Sequence, residues 1–198
     1  MQFRKISFPN VVPPTEFPDD VKLSLPNNSN LPTDQQHYLL FIPWEESYLI
    51  GIPRQYVDFF KRVLPHLHTR TTDVHTAVCL GYLDELLSQF DQPINERVVA
   101  LALILHDSGW SKLSEKEIAM SLGVSGLKLT EGAKNPKEKH ALESAKITTK
   151  MLNDYDFIPP LNEKEKELII QAVLYHDKPE EVAGAEIEMP IEIQLLVD

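Results

Sequence analysis

Residues 95–105, "NERVVALALIL", are apolar around nearly the whole circumference of a helix. Such a helix is buried on every side, so the remaining elements must pack around it. The run then ends abruptly in His106 and Asp107. A buried helix has no packing use for an imidazole beside a carboxylate. A buried carboxylate without a partner is costly, and a metal ion is one partner that offsets the cost. Adjacent residues on an ideal helix point about 100° apart. At a helix end the backbone can turn, and Gly109 is expected to permit a bend that aims both side chains at one point.

The segments around this run also carry helical spacing. Tyr56, Val57, Phe59, Phe60, Val63 and Leu64 form one stripe that Pro65 should end. Val74, Val78, Tyr82, Leu83, Leu86 and Leu87 form another, with His75 beside it. Ser114 and Glu117 have the spacing of a capping box that opens a short helix. The stretch "GVSGLKLTEGAKNP" reads as a loop, and a long helix with His140 near its start follows. A further helix is expected from about Asn162 to His176. Its acidic start, "NEKEKE", complements the helix dipole. Pro190 is suited to open the last helix, although "IEIQLLVD" alternates like a strand.

Residues 1–53 have a different character. Prolines crowd this segment, in stretches such as "PNVVPPTEFPDD", and exclude long regular helices. It is expected to be an irregular N-terminal extension that wraps core surface. A small β-hairpin could form from "YLLFIPW" and "YLIGIP" across "EES". The helical domain then spans 54–198.

The polar residues on or beside apolar faces are His75, His106, Asp107, His140, His176 and Asp198. Imidazole and carboxylate together suit zinc, iron, manganese or nickel. Their order, His, His-Asp, His, His, Asp, resembles the HD-domain superfamily of metal-dependent phosphohydrolases. The resemblance covers roughly residues 54–198, about three-quarters of the chain. It implies an all-α helical bundle with the metal at its centre. The four-ligand signature falls on His75, His106, Asp107 and Asp198. Members with two metals add two histidines, and His140 and His176 occupy that order. The family's chain continues past the last Asp, so the resemblance implies that this sequence stops short of the family's end.

Three departures leave the substrate open. Trp110 stands where some branches carry a Lys three residues after the Asp, and the nearest lysine is Lys112. Thr72 stands where several branches have an Arg three residues before the first His, with Arg70 two residues earlier. The signals of the branches that bind cyclic dinucleotides are missing.

The expected activity is hydrolysis of a small phosphate ester, by preference a nucleotide, with one or two divalent ions. Asp107 is then the bridging ligand. His140 and His176 hold a second ion, protonate the leaving group or contact substrate phosphate, and Lys112 and Arg70 supply positive charge. The superfamily also contains di-iron oxygenases built on the same six ligands, and a non-catalytic nucleotide-sensing module is a third reading. Asp177 reads as a solvated or helix-terminal residue, His66 and His68 as surface residues, and His37 carries no signal.

The formal charge of −11 argues against nucleic acid as a partner, since phosphate-backbone binding needs clustered Lys and Arg. No apolar run approaches the ~20 residues of a membrane span. "MQFRKISFPN" lacks the apolar core of a signal peptide. The single cysteine, Cys79, suits a reducing, cytoplasmic setting, and an oligomer is compatible with the sequence.

Overall fold

The protein is described by a computed structural model that covers residues 22–24, 38–40, 44–121, 135–186 and 189–196. The fold is all-α apart from a two-stranded antiparallel ribbon. Its strands are β1 (Lys22–Ser24) and β2 (Tyr38–Leu40), with Leu23 opposite Leu39. The expected hairpin across "EES" does not form. Its first half supplies β2, which pairs with the earlier strand. Its second half coils into a 3-10 turn over Glu46–Gly51. Trp44 explains the coil's position. Its ring packs 5.4 Å from Phe60 and 5.5 Å from Tyr48, anchoring this part of the N-terminal segment to the core.

The helices follow as α1 (Val57–Val63), α2 (Thr72–Gly81), α3 (Leu83–Leu87), α4 (Glu96–Leu105), α5 (Glu115–Ser121), α6 (Pro136–Asp154), α7 (Glu163–Tyr175), α8 (Pro179–Ala183) and α9 (Ile191–Gln194). The apolar run is α4. Val98, Val99, Ala100, Leu101, Ala102, Ile104 and Leu105 are all buried, and α4 packs against α1, α2, α6, α7 and α9. Each fully buried Val, Leu or Ile contributes roughly 1.5–3 kcal/mol, which makes α4 the axis of the fold. The stripe 74–87 is not one helix: Tyr82, at φ −101° and ψ 2°, separates α2 from α3 and stands exposed. The last segment is helical, opened by Pro190 as expected.

Side-chain caps fix where the helices begin. Ser114 and Glu117 form the expected reciprocal pair before α5, with the Ser114 amide donating to Glu117 Oε2 at 2.8 Å. Asn162 and Glu165 do the same for α7. Asn95 caps α4 by accepting from the Val98 amide, and its own amide groups donate to Glu192 and Glu165. The starts of α4 and α7 are thereby tied to each other and to α9. Asn135 caps α6, with Pro136 in the first turn, where its missing N–H costs nothing. Most of the loop expected before α6 lies outside the described residues. Among the described residues, no helix is long and apolar enough to cross a membrane.

Candidate metal centre

The corner after α4 sets the site. His106 keeps helical backbone angles, and Asp107 leaves the helix at φ −99° and ψ 2°. A 3-10 turn over Ser108–Lys112 follows. The bend is therefore made at Asp107, not at Gly109 as the sequence suggested. Gly109 serves a different need, the close approach of this turn to α6. A Cβ on Gly109 would overlap the His140 carbonyl oxygen and the Ser144 amide nitrogen. Instead the Gly109 amide donates to Ser144 Oγ at 2.8 Å. This contact brings Asp107 up to His140.

Two donor groups meet at Asp107. The first is His75, His106 and Asp107, and the second is Asp107, His140 and His176; within each, one ligand atom per residue lies within 4.8 Å of the others. The carboxylate divides between them. Oδ2 faces His106 Nε2 at 3.4 Å, whereas Oδ1 faces His140 Nε2 at 3.4 Å and His176 Nε2 at 3.7 Å. The imidazoles of His75 and His106 are 5.5 Å apart, and those of His106 and His176 are 5.2 Å apart.

Backbone carbonyls orient two of the rings. His106 Nδ1 donates to the Leu103 carbonyl at 2.7 Å and His176 Nδ1 to the Val173 carbonyl at 2.6 Å. With the proton on Nδ1, each Nε2 is left as a lone pair facing inward. His140 Nε2 is only 3.0 Å from His176 Nε2, and both rings are buried. Only a proton or a cation can sit between two such nitrogens, so the donor set fits a metal ion. His140 Nδ1 is buried without a hydrogen-bond partner, and Asp177 Oδ2 lies 3.7 Å from it.

Charge follows the same geometry. Burial lowers the pKa of His106, with Asp107 opposing, and keeps the ring neutral as a ligand must be. Burial alone would raise that of Asp107, but His106, His140 and His176 hold it well below the usual carboxylate range. Burial likewise opposes a charged His176, yet the hydrogen bond and charge of Asp107 outweigh it and raise its pKa.

His75, His106, Asp107, His140 and His176 are thus brought together, and Asp198 lies outside the described residues. Lys112 is exposed and does not line the site cavity. The charged side chains that line the cavity of about 370 Å3 are instead Arg70, Lys137, Asp107 and Asp177. A second cavity of about 400 Å3 beside Tyr56, Phe59 and Phe157 contains no histidine.

Two residues, Trp110 and Asp177, have roles that the sequence did not announce. Trp110 Nε1 donates to Asp107 Oδ1 at 3.0 Å, and its ring stacks on His140 at 4.0 Å and 11°. Its three-residue spacing from Asp107 was the available signal, because such residues eclipse in a 3-10 turn. Asp177 adjoins His140 Nδ1 and Lys137. Arg70 and Thr71 both have φ 59°, a conformation that costs a non-glycine residue roughly 1–3 kcal/mol.

Comparison of the chain with family models, with curated proteins and with solved structures gives no match.

Proposed function

We propose that this chain is a metal-dependent phosphohydrolase of the HD-domain type, acting in the cytoplasm on a small phosphate ester such as a nucleotide. The observation that carries the reading is the division of Asp107, with one oxygen toward His106 and the other toward His140 and His176. A carboxylate placed in this way suits a bridge between two divalent ions. When bound, such ions acidify a water ligand and neutralise charge on a phosphoryl group.

The chain's own residues do the rest. His106 presents an unprotonated Nε2, because the Leu103 carbonyl occupies its Nδ1 proton and burial keeps the ring neutral; His176 Nε2 is aimed inward in the same way and must give up the proton that Asp107 favours when a metal binds. Trp110 orients Asp107 by a hydrogen bond and His140 by stacking. The Asp177 carboxylate favours a proton on His140 Nδ1, which frees Nε2 as a donor. The cavity is open enough for a small substrate, and its lining includes two cations that would attract an anion.

The test is to strip the chain of metal, reload it with Mn2+, Fe2+, Zn2+ or Ni2+, and assay nucleotides and simple phosphate esters. Turnover that requires metal and disappears in Asp107→Ala is the expected result. A folded, metal-loaded chain that hydrolyses none of these esters contradicts the reading. Oxygen-dependent turnover with two irons bound would move the assignment to the oxygenases built on the same ligands.

A further inference from the structure

We propose that Arg70 is the phosphate anchor of this cavity and that the group it holds is the terminal phosphoryl of a monoester. The inference rests on the phosphohydrolase reading and narrows its substrate.

The Arg70 guanidinium carbon lies 4.1 Å from the centre of the Trp110 ring. Trp110 in turn stacks on His140, so cation, indole and imidazole form one pile on the cavity wall. A guanidinium held by its face against a ring keeps its in-plane N–H groups free for a paired contact with two oxygens. Arg70 has no side-chain hydrogen bond or ion pair among the described residues, although Asp107 and Asp177 share its cavity. Lys137, the other cation in the lining, is engaged with Asp177 at 3.5 Å. Arg70 is therefore the cation with uncommitted donors.

The backbone is strained to place it there. Arg70 and Thr71 are consecutive left-handed residues, and Thr71 is β-branched, for which this conformation is a true outlier. The surroundings hold the turn in this shape. Thr72 Oγ1 donates to the Leu67 carbonyl at 2.7 Å, the Asp73 amide donates to the same carbonyl at 2.8 Å, and Asp73 meets His68 at 2.9 Å. Strain maintained at the rim of a functional cavity is a mark of side-chain placement.

The oxygen count selects the substrate. A terminal phosphoryl group has three non-ester oxygens, of which the guanidinium can take two and leave one for an ion held by the Asp107 cluster. A diester has two and carries less negative charge, so the same grip would force one oxygen to serve both the guanidinium and the ion.

The experiment measures inorganic phosphate binding to the Mn2+-loaded chain by titration calorimetry, with turnover of a phenyl phosphate monoester and the matching diester. Arg70→Met should weaken phosphate binding by roughly tenfold or more, as expected for losing hydrogen bonds to a charged group. Its metal content should not change. Arg70→Lys should recover only part, because a point charge cannot reproduce the fork. The wild type should prefer the monoester. Wild-type phosphate affinity in Arg70→Met, or preference for the diester, overturns the proposal. Full monoester turnover in Arg70→Met also removes the anchor while leaving the hydrolase reading intact. Arg70-dependent phosphate binding in a chain that turns over no ester supports the anchor and removes the hydrolase reading.

Discussion

On one side of Asp107, His140 and His176 are 1% and 2% exposed, and their rings are held by Trp110 and the Val173 carbonyl. On the other side, His75 is exposed on α2, and its ring contacts Cys79, one turn further along, and the ring of His106. The buried half is part of the protein's packing, since Gly109 and Ser144 press the metal corner against α6. The open half has one buried donor of its own, His106, and adds the exposed His75. Removing a donor in the core leaves a cavity and costs stability, whereas removing a donor on the surface costs little. The two halves should therefore respond differently to the same kind of change.

The largest effect is expected from Asp107→Ala, which removes the residue shared by both halves. Metal content should fall to near zero and turnover with it. Retention of one ion would show that the halves bind independently. Next comes Gly109→Ala, which forces a methyl group into α6 backbone. It should cost roughly 3 kcal/mol or more in urea unfolding. His75→Ala, by contrast, should stay within about 0.5 kcal/mol of wild type in the same measurement while losing metal from the open half. Equal destabilisation by the two would erase the distinction.

A smaller effect is expected from Asp177→Asn, which removes the carboxylate facing His140 Nδ1. Metal affinity of the buried half should drop by roughly 10–100-fold, the usual consequence of losing an outer-shell partner. Competition with a chelator reads this directly, and a purely structural Asp177 would leave it unchanged.

The mildest test is pH. His176 holds its proton more tightly than a free imidazole, because Asp107 outweighs burial, whereas burial makes His106 hold its proton less tightly. A metal must displace the His176 proton, so affinity of the buried half falls as pH falls through its raised pKa. Lowering the pH from about 8 to 6 should therefore release the ion at His140 and His176 before the ion at His106. The reverse order would contradict the charge assignment.

The same contrast separates what the sequence conveys from what it does not. The course of α4 is legible because an all-round apolar run has one stable location. The cap at Ser114 is legible because it is local, three residues from its partner, and the start of α7 near Asn162 is legible from its acidic first turn. The histidines could be singled out as polar groups beside apolar stripes. Other features depend on which segments become neighbours, which spacing does not encode. Gly109 has its role only because α6 lies against it. Trp110 stood out as a departure from a motif, yet its indole serves both Asp107 and His140. The strain at Arg70 and Thr71 is invisible in two ordinary residues. The pairing of β2 with β1 depended on a segment with no strand pattern of its own.

The proposed division of Asp107 between two ions is tested most directly by metal stoichiometry. Elemental analysis of the wild type beside the His140→Ala, His176→Ala double variant, each verified as folded by circular dichroism, gives the count. About two ions per chain in the wild type and about one in the variant are expected, with most turnover lost. The same metal content in both chains, with normal turnover, would contradict the account and make the two buried histidines ordinary structural residues.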